Sequence, residues 1–207
     1  RLVNWQGDKS IGKDGGILIR RARLVLQGDV HDRVFIYLQP DFATVVADQY
    51  HVPTLRDWYA DISVDKRKEF RFRVGQSKVP YGFENLQSSG VRLPFDRDDA
   101  LNSAAPGERD LGVFFVWGST RAHRTLRKMT DSSFKGEGDY GILSGGIYNG
   151  QGANRAEAND NKHVALRLSY PFVLPAGQIV ELSAQGYYGT YTLTADLRTP
   201  GVAAPEG

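Results

Sequence analysis

The segment Asp57–Val64, DWYADISV, alternates without a fault: Trp58, Ala60, Ile62 and Val64 on one parity, Asp57, Tyr59, Asp61 and Ser63 on the other. Successive side chains of an extended chain point to opposite sides, so a period of two describes a strand with one apolar and one polar face.

The same period recurs on both sides of this segment. Upstream, Val34, Ile36 and Leu38 alternate with Phe35, Tyr37 and Gln39; downstream, Phe70, Phe72 and Val74 alternate with Arg71, Arg73 and Gly75. Further strands are expected in DLGVFFVW, YGILSGGIY, KHVALRLSY and IVELSAQGYY. In the last two, Val164, Leu166, Leu168 and Tyr170 alternate with His163, Ala165, Arg167 and Ser169, and Val180, Leu182 and Ala184 with Glu181, Ser183 and Gln185. A first strand is expected in GILIRRARLVLQGD, residues 16–29. This makes about eight strands and an all-β chain.

The connections alternate in length. Short turns are expected at 28–32, 65–69 and 171–178, and long polar loops at 41–54, 79–109 and 149–161. An antiparallel transmembrane β-barrel needs this pattern, with tight turns on one side and larger loops on the other. The segment 118–138 should be short and is not. It contains STRAHRTLRKM, where Arg121, Arg124, Arg127 and Lys128 share one side of a short helix or form a solvated charged loop.

Composition excludes other classes. The chain has 207 residues, 41% of them hydrophobic, which suits a single folded domain over 1–207. With 26 basic and 24 acidic residues it is too balanced for a general polyanion binder, and no nucleic-acid partner is expected. It has no cysteine, which removes disulfides, thiolate catalysis and Cys-based zinc sites. No apolar run is long enough for a membrane-spanning helix, which leaves a β-barrel span open. The chain begins at Arg1 without a leader and ends in VAAPEG, so the expectation is a piece of something longer, incomplete at its C-terminal side.

Catalytic and metal chemistry find no pattern. GEGDYG, residues 136–141, satisfies GxGxxG but is followed by a Gly-rich strand, whereas a bound phosphate needs a helix N-terminus behind the loop. His31, His51, His123 and His163 lack metal-ligand spacing and read as surface or turn residues. Ser144 lacks the first glycine of a nucleophile elbow. The expectation is no enzyme, no metal and no cofactor.

Arginine placement stands out instead. Arg21, Arg23, Arg71, Arg73 and Arg167 share the parity opposite the aliphatic one, in three strands. As planar forks that stay charged, they match phosphate or carboxylate oxygens. If the strands are neighbours they form a basic wall; alternatively each pairs with an acid on the same face, such as Asp57, Asp61 or Glu181. Arg20 falls on the apolar parity. At the centre of a lipid face it would cost about 2–4 kcal/mol, falling to about 0–1 near an interface, so it is expected near an interface, under another subunit or after a bulge.

RVGQSKVPYGFENLQSSG, then LPFDRD, then APGERDLGVFFVWG resembles the phosphate-selective porin O and P family of Gram-negative outer membranes. The residues carrying the resemblance are Arg73, Gly75, Lys78, Pro80, Gly82, Glu84, Pro106, Arg109, Asp110 and Gly112, and the opening RRARLVLQG is similar to that family's first strand. The resemblance spans roughly residues 16–188. It implies a sixteen-stranded trimeric barrel, of which about eight strands stand here. It also implies a diffusion channel in the bacterial outer membrane, embedded in its lipid and passing small phosphate-like anions. Loop 79–109 would then fold inward and narrow the pore, with Arg21, Arg23, Arg71, Arg73, Lys78, Arg109 and Arg167 as its anion-facing lining. The acids Glu84, Asp96, Asp98, Asp99 and Glu108 depart from a purely basic lining.

Three other classes share the alternation. A soluble β-sandwich or small barrel that binds a ligand buries one face of each strand. A non-channel outer-membrane adhesin or structural barrel needs no basic wall. A nucleic-acid binder would add exposed aromatic stacking platforms.

Overall fold

A computed structural model of the chain describes Ile19 and residues 21–46, 49–88, 105–132 and 136–191. Eight antiparallel strands form one sheet in chain order: β1 (Leu26–His31), β2 (Val34–Val46), β3 (Gln49–Ser63), β4 (Phe70–Lys78), β5 (Arg109–Trp117), β6 (Leu143–Tyr148), β7 (His163–Val173) and β8 (Ile179–Tyr188). A meander of this kind closes each hairpin locally. The strands lie in one sheet and not in two packed against each other, which removes the β-sandwich. Among the described residues β1 and β8 are its two edges.

Register turns the alternation into rows. Ile36, Ala60, Val74, Val113, Ile147, Val164 and Tyr188 face one another in turn across seven strands. This row belongs to an outer face where Trp58, Ile62, Leu166, Leu168 and Leu182 are all exposed. One step along, Phe35, Asp61, Arg73, Phe114, Gly146, Ala165 and Tyr187 make an inner row, and Ser63, Arg71, Val116, Ser144, Arg167 and Gln185 the next one. On β7 the parity is complete: His163, Ala165, Arg167, Ser169 and Pro171 are buried and their neighbours exposed. A slip of one residue would send Arg167 outward and Leu168 inward.

Several boundaries differ from the sequence reading. The first strand does not begin near Ile17. Arg23 makes a single bridge with Asp41 and continuous pairing starts at Leu26. Gly28 to His31 pair with β2, so the turn tightens to Asp32 and Arg33. The expected loop 41–54 is mostly strand, because its polar side chains are satisfied along the ladder. Thr44 and Thr54 share a 2.6 Å hydroxyl hydrogen bond, and the Ala43 amide donates to Asp41. Pro171 to Val173 still pair with β8, leaving a turn at 174–178. Arg20, Asp96, Asp98 and Asp99 lie outside the described residues.

Two segments pack on the inner face. After β4 the chain forms the short helix α1 (Phe83–Leu86) and crosses to the far edge. The Gly82 amide donates to Gln185 on β8 at 2.8 Å, and Tyr81 packs on Tyr187. Beneath it Val79, Ala105, Phe114, Tyr148 and Ala165 form the apolar core. The second segment, after β5, carries α2 (Thr120–Asp131), so STRAHRTLRKM is a helix and not a charged loop. Ser119 caps it by accepting from the Ala122 amide, and Ala122, His123, Leu126 and Met129 are its buried side. Arg121, Arg124, Arg127 and Lys128 lie on the exposed side.

Histidine placement is a correction. His31 and His51 are exposed, but His123 and His163 are buried. His123 Nδ1 meets Asp139 at 2.5 Å. The His163 ring lies among Tyr148, Tyr187 and Tyr191, with Gly150 and Gly189 against it.

Two outcomes follow from these contacts. A Cβ at Gly150 would sit 2.3 Å from the His163 ring, at a φ of 95° that side chains avoid. Gly150→Ala is expected to cost about 1–3 kcal/mol, read as a lower midpoint of thermal loss of β-structure in detergent. Burial works against ionisation of Asp139, but its hydrogen bond from His123 and the nearby Arg71 and Arg127 charges outweigh it and hold the carboxyl at about 2. A carboxyl depressed on folding stabilises above its unfolded value, near 3.8, and loses that contribution as pH falls towards 2. Protection of the α2 amides, taken relative to their intrinsic exchange rate at each pH, is therefore expected to hold down to about pH 4 and to fall below it. In Asp139→Asn it should be low throughout.

Candidate functional site

Charge on the inner face is dense and paired. Asp61 and Arg73 face each other across β3 and β4, and the guanidinium donates from Nε and Nη2 to the two carboxylate oxygens at 2.7 and 2.8 Å. Such a fork is the strongest geometry open to the two groups. Arg71, one inner row away, lies 3.6 Å from Asp61 and 3.5 Å from Asp139, and donates to the Asp139 carbonyl. Arg109, at the start of β5, reaches past β4 to grip Asp57 with two contacts of 2.9 Å, while its third nitrogen lies 3.2 Å from Glu108.

The remaining expected residues follow suit. Arg23 binds Asp41 at 2.7 Å. Lys78 donates to the Leu86 and Gln87 carbonyls at 2.9 and 2.7 Å and lies 3.3 Å from Glu108. Arg167 is 1% exposed, between Glu181 and Glu137. Arg21 is exposed and precedes the continuous pairing of β1. Of the two readings left open by the sequence, the one with same-face acids describes the structure, with Asp61 and Glu181 as partners for Arg71, Arg73 and Arg167. Asp57 pairs with Arg109. Nor do the arginines form one continuous wall, since Val116 and Ser144 separate Arg71 from Arg167 within their row.

These charges surround two clefts of about 560 and 450 Å³ on the inner face. Both clefts touch Tyr59, Arg73, Glu137, Gly138 and Tyr140. Arg73 lies 3.9 Å above the Tyr59 ring and 5.7 Å from the Tyr140 ring, so one cation held between two aromatics divides the space. Burial, opposed by the nearby Arg73 charge, pushes the Tyr140 hydroxyl up to about 12, and it stays a neutral donor at ordinary pH. Lys78, Leu86 and Ser88 bring the start of loop 79–109 to the first cleft, and Thr130 brings α2.

Glu137, Asp139 and Tyr140 were missed by sequence reasoning. All three lie in GEGDYG, whose glycines invite a nucleotide-binding reading. Here the glycines let the chain turn in against the wall: a Cβ at Gly141, with φ 71°, would lie 2.5 Å from the Trp117 carbonyl oxygen. Period two cannot find such residues because they are not on a strand. Among the described residues no group of His, Asp and Glu side chains is arranged to hold a metal.

The residues that carried the family resemblance secure the base of the inward segment. Arg109 grips Asp57, the Asp110 carboxylate accepts from the Gly150 and Gly152 amides, and the Val79 amide donates to the Glu108 carbonyl. Searches of the curated proteins and of the solved structures each returned no match. The family model for phosphate-selective porin O and P matches residues 3–203, nearly the whole chain. Its members are outer-membrane channels and not enzymes. With an all-β meander, an apolar outer face and a charged inner one, the chain belongs to the phosphate-selective porin O and P family.

Proposed function

We propose that this chain forms part of the wall of an outer-membrane pore through which small anions such as phosphate or polyphosphate diffuse. The observation that carries the reading is the division of one sheet into an apolar outer face and an inner face whose charges surround two open clefts. A guanidinium on the wall of a water-filled lumen keeps its charge by pairing with an acid while still bordering water, as the little-exposed Arg71 and Arg109 do. The outward neighbours shed apolar surface into lipid. The outward aromatics support the lipid contact. Phe70, Trp117, Tyr170 and Phe172 stand at the short-turn end, and Trp58 stands towards the other, roughly 20 Å away along the strands. Aromatic girdles mark the two interfaces of such barrels.

In this reading Arg23, Lys78 and Arg109 line one compartment, Arg71 the other, Arg73 borders both, and Arg21 lines the approach. Arg167 is buried and acts by holding Glu137 against the wall. Loop 79–109 narrows the passage from the side of its contact with β8. Closure of the barrel needs further strands, and a homotrimer is the expected assembly.

Planar-bilayer recording of the full-length protein tests the channel. Stepwise conductance with a reversal potential favouring anions in a KCl gradient is expected, together with a reduction of current by inorganic phosphate. Arg71→Ala with Arg73→Ala is expected to weaken the phosphate effect several-fold. A phosphate effect that survives this pair unchanged removes both residues from the lining. The lipid-facing surface predicts that the protein is monodisperse in detergent and aggregates without it.

A further inference from the structure

We propose that Asp57 and Asp61, the acids facing the wall arginines, determine how strongly this pore selects anions. The inference rests on the channel reading above and concerns what the wall offers a passing ion. A guanidinium binds an oxyanion best through two parallel N–H donors on one edge. In Arg73 the edge formed by Nε and Nη2 is taken by Asp61, and Tyr59 covers one face. In Arg109 all three nitrogens have acidic partners, two of them on Asp57. The cations expected to read phosphate are engaged before any solute arrives.

The balance of charge around the clefts agrees. The first is bordered by the cations Arg23, Arg73, Lys78 and Arg109 and by the acids Asp57, Glu108 and Glu137. The second is bordered by Lys68, Arg71, Arg73 and Arg127 against Asp29, Asp61, Glu137 and Asp139. Summed over these described residues, one compartment is weakly positive and the other neutral. Asp57 borders the first and Asp61 the second, so each can be relieved separately. A charge beside a wet passage shifts the local concentration of a monovalent ion about threefold at a distance of roughly 7 Å, and rings of such charge set selectivity in pores.

The test uses the full-length protein in planar bilayers under a KCl gradient, with inorganic phosphate as the probe. Asp61→Asn and Asp57→Asn are each expected to raise the anion-to-cation permeability ratio about sevenfold, the anion gaining and the cation losing about threefold each, and to lower the phosphate concentration that halves the current. Arg73→Gln combined with Asp61→Asn removes both members of a pair and is expected to return the ratio to that of the parent. Circular dichroism in detergent checks that each variant retains its β-structure, and the two single variants act on different compartments, so either alone decides. Conductance steps with an unmoved ratio in a folded single variant overturn this inference and leave the channel intact. The absence of conductance steps in the parent protein removes the channel reading, and this inference with it.

Discussion

The inner face depends on a single kind of interaction, the guanidinium–carboxylate fork between strands. Asp61 with Arg73 joins β3 to β4, and Asp57 with Arg109 joins β3 to β5 across the strand between them. Backbone ladders alone fix the spacing of strands but say little about which side chains share the crowded inner surface. Like charges set side by side there would repel, whereas alternating signs let the surface hold many charges at once. The segments packed on this face are seated by the same chemistry, Lys78 and Arg109 on Glu108 for the first and Arg71 and Arg127 on Asp139 for the second.

Much of this was open to reading from the sequence, and the reasons are local. DWYADISV and KHVALRLSY sit wholly within strands whose two faces meet different media, so parity reports facing directly. It fails where that contrast fades: β1 is exposed at every position, and β2 and β3 extend as a polar ribbon that composition alone assigns to a loop. Arg71, Arg73 and Arg167 were found because they lie on strands, and the acids Asp57, Asp61 and Glu181 were found for the same reason, whereas Lys78 and Arg109 came from the family resemblance. Glu137 and Asp139 stayed hidden, since nothing in a glycine-rich connection says that it turns back onto a wall contributed by β4 and β7.

The helix α2 shows the same limit from another side. Its amphipathic spacing is visible in STRAHRTLRKM, but the surface that makes it amphipathic belongs to the sheet. His123 reads as an exposed polar residue until Asp139 and the Glu69 carbonyl are placed beside it. Function followed the same path: the arginines pointed to anions, and only their geometry showed how far each one is already engaged.

The contact between Gly82 and Gln185 spans 103 residues, whereas every strand pair in the sheet joins neighbours in the chain. Short-range hairpins close first because little chain entropy is lost in forming them. A sheet of this order can be extended one hairpin at a time, and the segment that begins after β4 lacks its contact at the far edge until β8 is in place. A lesion in the last strand would be felt in the middle of the chain, as a displaced loop within an otherwise well-formed sheet.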